Sequence, residues 1–163
     1  MSIANANMNA NESALETLKL FRIIFKSFTK HFHEVEKAVG IGGASLWALA
    51  EIGDNTNLTV SALANAMSIH QSTASNLLEK LETDGYVTRI RSTKDKRSVC
   101  ITLTTKGKEL LLKAPPPYRG ILPDALMKLQ PDTLAELNLD LSILISKMQI
   151  TQFESALEPL GKS

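Results

Sequence analysis

Between Tyr86 and Lys108 the chain carries seven cationic side chains, Arg89, Arg91, Lys94, Lys96, Arg97, Lys106 and Lys108, against the single acid Asp95. The local excess is six positive charges, in a protein whose formal net charge is only +1. Charge gathered in this way is the footprint of a polyanion-binding surface. Just upstream, Gln71, Ser72, Thr73, Ser75 and Asn76 offer short hydrogen-bonding side chains. A helix that enters the DNA major groove needs such residues near its N-terminal half, because bulky ones would hold it off the base edges. The implied chemistry is recognition rather than bond-making. No nucleophile elbow, phosphate-binding glycine loop, zinc motif or spaced acid pair occurs in the sequence, so neither an enzyme nor a cofactor or metal is expected.

The elements that must position these residues are legible from periodicity. Leu58 to Met67 reads as a short helix and Ser68-Ile69-His70 as a turn. Gln71 to Thr83 reads as a second helix, with Leu77, Leu78 and Leu81 on its apolar face and Lys80 available outside. His70 stands at the N-cap, where Ser or Asp would cap more strongly. Gly85 ends the helix. Tyr86–Arg91 and Ser98–Leu103 then read as two strands around a charged tip, with Val99, Ile101 and Leu103 on one face and Cys100, a half-buried structural cysteine, on the other. Two helices and a basic hairpin in this order make a winged helix-turn-helix, mostly α with a small β-hairpin (α+β).

The run Asp95-Lys96-Arg97-Ser98-Val99-Cys100-Ile101-Thr102-Leu103-Thr104-Thr105-Lys106-Gly107 resembles the wing signature of the MarR family of bacterial transcriptional regulators: D-x-R, an apolar strand, then L-T-x-x-G. Upstream, Leu63-Ala64, Gln71-Ser72-Thr73-Ala74-Ser75 and Leu81-Glu82-Thr83-Asp84-Gly85-Tyr86-Val87 are similar to the same family's helix-turn-helix. The resemblance covers residues 14 to 150. It implies that Arg97 enters the minor groove with Asp95 orienting it; the plainer reading of that pair is a surface ion pair. Lys94, Lys96, Arg89 and Arg91 are expected to meet phosphates or solvent. It also implies a homodimer, with two recognition helices about 34–36 Å apart on a pseudo-palindrome. Some family members hold small aromatic acids between the DNA-binding lobe and the dimer stalk. Arg22, Phe28, His31 and Trp47 are the residues expected to line such a crevice here, for a small aromatic or phenolic effector; taken singly, each reads better as core or surface.

The stalk itself is written in two stripes. Leu18, Phe21, Phe25, Phe28, Phe32, Val35 and Val39 alternate spacings of three and four along residues 14–39. Such a helix is about 39 Å long, too long for one small lobe to cover. Gly40, Gly42 and Gly43 break it. Thr104 caps a helix from Thr105 to Lys113, and Ala114-Pro115-Pro116-Pro117-Tyr118 interrupts it. Pro131 opens a last long helix whose Leu134, Leu137, Leu141, Leu144 and Met148 form the second stripe, the natural partner of the first. Dimerisation is therefore assigned to Leu18, Phe21, Phe25, Leu137, Leu141, Leu144 and Met148. His31 and His33 stand about 200° apart on a helix, which argues against a metal site.

The organisation expected is a disordered tail over 1–13, one domain over 14–150 and a C-terminal extension over 151–163. Within the domain, 14–39 and 104–150 are the dimerisation helices and 44–103 the DNA-binding lobe. A single cysteine, no apolar run of membrane-spanning length and no signal-peptide pattern at Met1–Ser13 point to the cytoplasm. The function expected is a ligand- or stress-responsive repressor on a palindromic operator. The alternative is a winged-helix scaffold whose basic wing meets an acidic protein, or DNA without sequence choice.

Overall fold

The computed structural model describes residues 3–55, 58–91, 99–148 and 156–159. Its elements are α1 (Ile3–Val39), α2 (Gly43–Asp54), α3 (Val60–Ala66), α4 (Gln71–Thr83), β1 (Val87–Arg91), β2 (Val99–Leu103), α5 (Thr105–Lys113), α6 (Ile121–Met127) and α7 (Pro131–Lys147). The order is that of a winged helix-turn-helix set between long terminal helices. Among the described residues no helix is long and apolar enough to cross a membrane.

α1 begins at Ile3, so residues 3–13 are helical where a disordered tail is expected. The Asn-rich opening contains several alanines, and no Gly or Pro interrupts Ile3–Val39. Once a helix is nucleated further on, each added residue gains a hydrogen bond at little cost. The helix is 37 residues, about 55 Å.

The core is the interior of the winged lobe. Val35, Leu46, Leu49, Leu63, Leu78, Leu81 and Ile101 are its largest fully buried side chains. β1 and β2 pair antiparallel from Val87↔Leu103 to Arg91↔Val99. Leu58, read from the sequence as helical, instead bridges to Ile101, whose N–H donates to the Leu58 carbonyl at 2.9 Å. The helix starts at Val60 because Thr59 caps it, accepting from the Ala62 N–H at 3.2 Å. Val99 and Ile101 share a strand face, yet Val99 is 48% exposed and Ile101 fully buried: only the end of the hairpin near the helices reaches the core. Cys100 is buried at 2% exposure rather than half-buried.

The sequence places α5 with the stalk. Its Leu110 and Ala114 instead join the cluster of Leu46, Leu49 and Ile101, so this helix belongs to the winged lobe. Along α1 the apolar stripe is best buried around Val35 and more open toward Leu18. Val35 is buried, Phe32, Phe28 and Phe21 are half-buried, and Phe25 and Leu18 are exposed. α7 leaves Leu144 and Met148 exposed and packs extensively against no other element of its protomer. The two stripes therefore do not cover each other within one chain.

Candidate nucleic-acid interface

α4 shows how the lobe presents its polar residues. Ala74, Leu78 and Leu81 are buried, which turns the opposite face outward. Ser72, Asn76 and Lys80, each one turn from the next, lie on that outer side and are exposed, as are His70 and Gln71. Thr73 and Ser75 flank it, half-buried. Glu79, exposed between Asn76 and Lys80, was not singled out from the sequence, although helical periodicity places it on the same face. His70 is the N-cap in extended conformation and its side chain caps nothing, so the imidazole is left to solvent.

The hairpin is fixed to α4 by contacts that join residues distant in sequence. Gly85 adopts φ +77°, a left-handed conformation that glycine takes without strain. Its N–H donates to the Glu82 carbonyl, and the Tyr86 N–H donates to that of Leu81, both at 2.9 Å. Lys106 Nζ reaches back to the Asp84 carbonyl at 2.6 Å and lies 4.5 Å from the centre of the Tyr86 ring. This cation thus closes the negative end of the recognition helix. Arg89, expected at a phosphate, forms an ion pair with Glu82 at 3.1 Å and braces the hairpin against the helix. Arg91 lies in β1. Lys94, Asp95, Lys96 and Arg97 lie outside the described residues.

The L-T-x-x-G run has a physical reading. Thr104 Oγ1 donates to the Gly85 carbonyl at 2.7 Å and accepts from the Gly107 N–H at 3.1 Å. One hydroxyl thus caps α5 and ties it to the end of α4. At Gly107 a Cβ would collide with the Tyr86 carbonyl oxygen. No larger residue allows α5 to come this close to the hairpin.

Residues 44–99 match the family model described as MarR family. Over these residues the winged lobe is similar to the MarR family. The chain is 34% identical over 91 residues to the HTH-type transcriptional regulator SarZ of Staphylococcus saprophyticus, covering 56% of this chain and 62% of SarZ. To the HTH-type transcriptional regulator BilQ of Clostridium symbiosum it is 36% identical over 95 residues, 58% of this chain and 64% of BilQ. The chain thus spans somewhat under two thirds of these relatives. The fold is similar to that of Streptomyces coelicolor Sco3205, a MarR family transcriptional regulator solved in complex with DNA. The TM-score is 0.59 and the identity 21%, over 87% of this chain and 91% of that one. It is also similar to S. aureus MepR, solved as a DNA complex, with TM-score 0.56 and 24% identity over 80% and 94%.

Behind the winged lobe, α1, α2 and the segment leading into α6 enclose a cavity of about 20 Å³, room for about one water molecule. Phe28, His31 and Trp47, three of the four residues expected at a crevice, line it together. Arg22 does not. It lies six residues from Phe28, well round the helix, and lines a separate surface hollow with Lys19. The cation at this cavity is Arg119, from the far side of the proline break. Its Nε donates to Glu51 Oε1 at 2.6 Å and its Nη2 to Asp54 Oδ2 at 2.8 Å. Trp47 Nε1 donates to the same Glu51 oxygen at 2.9 Å. These bonds, chiefly that to Glu51, hold the Arg119 guanidinium above its already high range. The buried His31 imidazole lies 3.2 Å from the Pro117 carbonyl through Nε2, whereas His33 is exposed. The network was missed at the sequence level, though Glu51 is the one acid in the apolar stretch Ala44–Ile52 and lies one turn from Trp47.

Proposed function

We propose that this chain is a DNA-binding transcriptional regulator that reads sequence through α4 and grips phosphate through the basic hairpin. The observation that carries the reading is the outer face of α4. Ser72, Asn76 and Lys80 stand exposed on a helix whose other side is buried, beside the segment richest in cations. Short amide and hydroxyl groups there match base-edge donors and acceptors, while Arg91, Lys94, Lys96 and Arg97 supply charge. The regulators SarZ and BilQ and the DNA-bound relatives support the same reading by likeness.

The acting form is a homodimer, in which the exposed stripes of α1 and α7 are covered by a second copy, and the site is a pseudo-palindrome with half-sites about one helical turn apart. Occupying such a site near a promoter represses it. The cavity bounded by Phe28, His31 and Trp47 is the place for a small aromatic or phenolic effector. As it stands it holds about one water, so an effector must first open it. Its effect on DNA binding is limited to its difference in affinity between the two states.

The test is a pull-down of genomic fragments by the purified protein at about 150 mM salt, where weak phosphate-only binding is suppressed. Recovery of a few fragments sharing one palindrome is the expected result. Unselective recovery would leave a scaffold that meets DNA without sequence choice.

A further inference from the structure

The segment Ala156–Pro159 lies back on the winged lobe, and it touches two places at once. The carbonyl of Leu157 accepts from the His70 N–H at 3.1 Å. Two residues on, Pro159 forms part of the wall of the cavity, together with Phe28, His31 and Trp47. Leu157 is 38% exposed, so among the described residues this is a strap held by one main-chain bond and one proline, not a plug of buried hydrophobic groups.

His70 is the N-cap of α4. The N–H groups at a helix start lie outside the intrahelical ladder and at its positive end. In protein–DNA complexes such groups are ordinary phosphate ligands, and they fix how a recognition helix sits in the groove. Here a carbonyl of the same chain occupies that N–H.

We infer that Ala156–Pro159 is an autoinhibitory strap, which closes the cavity through Pro159 and, through Leu157, competes with a DNA phosphate for the His70 N–H. This rests on the DNA-binding reading above. Two residues separate the contacts, so they are made and lost together. Linkage then fixes the sign: DNA that takes the His70 N–H opens the cavity, and a molecule that displaces Pro159 strengthens DNA binding.

The full chain carrying Pro159→Asp tests this, because a carboxylate is disfavoured against an apolar cavity wall. Two readouts are needed. The first is emission from Trp47, the sole tryptophan and a cavity residue. The second is affinity for a labelled mixed-sequence duplex of about three turns at low salt. Expected are a red shift of Trp47 emission and duplex binding tighter by about three- to tenfold, the net worth of one ordinary hydrogen bond. His70→Pro removes the N–H at φ −61°, which proline adopts readily; on that background Pro159→Asp is expected to change duplex affinity no further. Unchanged emission, shifted emission without tighter binding, or the same gain on the His70→Pro background would each overturn the strap. Failure of the unaltered protein to bind any duplex would overturn the DNA reading and the competition with it. That case is told apart because Trp47 emission still responds to Pro159→Asp.

Discussion

Asn76 and Ser72 carry the discrimination proposed for this protein, and their exposure makes it measurable. Asn76→Ala removes a bidentate amide from the outer face of α4. It is expected to cost about 1–3 kcal/mol against the operator and little against bulk DNA. Parallel titrations on the two DNAs check this, and equal losses on both would take Asn76 out of base reading. Arg97→Ala is expected to weaken both DNAs strongly while leaving the dimer intact by sedimentation; an unaltered titration at fixed salt would remove the wing tip from the interface. The outer face of α4 could be read in advance because residue type and the helical period suffice for it. The partners of the cations could not. Arg89 meets Glu82 and Lys106 meets the Asp84 carbonyl only because the hairpin folds back on α4. Arg119 meets Glu51 across 68 positions. Composition counts such cations as free charge, whereas folding has already engaged three of them.

Among the elements, the junctions decide more than the helices do. The start of α5 depends on Thr104 and on the missing Cβ at Gly107. Gly107→Ala pushes α5 off the Tyr86 carbonyl and is expected to lower stability by about 2–4 kcal/mol, read as a lower urea midpoint. The turn between α3 and α4 holds Ser68 at φ +52°. A left-handed serine costs about 1–2 kcal/mol, partly offset in glycine by its larger unfolded-state entropy. Ser68→Gly is therefore expected to raise stability by about 0.5–1 kcal/mol, with an unchanged denaturant slope. Turn and hairpin were visible in the sequence from their Gly and polar residues. The N-terminal extension of α1 was not, because an Asn- and Ala-rich stretch carries no amphipathic signal of its own and is extended from its neighbour. Nor was the placing of α5, whose apolar residues look the same whether they face a stalk or a lobe.

At the scale of the molecule, the exposed apolar residues of α1 and the open stripe of α7 suit the homodimer proposed above. Phe25 is 54% exposed and Met148 58%, on stripes long enough for a shared hydrophobic seam. Phe25→Glu is expected to shift sedimentation from dimer to monomer and to lower Tm. In the unaltered protein Tm should rise with concentration, as for any fold coupled to association. A Tm independent of concentration, together with a dimer that survives Phe25→Glu, would place the seam elsewhere. The spacing of three and four announced both stripes. Periodicity alone could not say whether they met each other or another chain.

The closure of Cys100 has a practical side. The chain has one thiol, and the fold shuts it away from solvent, so the unaltered protein is nearly inert towards thiol-reactive labels. A single cysteine placed at the exposed Thr83, at the far end of α4, would then be the one reactive site per protomer. In the proposed dimer a spin label there yields one label–label distance. Its distribution, with and without duplex, reports in solution how far apart the two reading heads stand and how much they move.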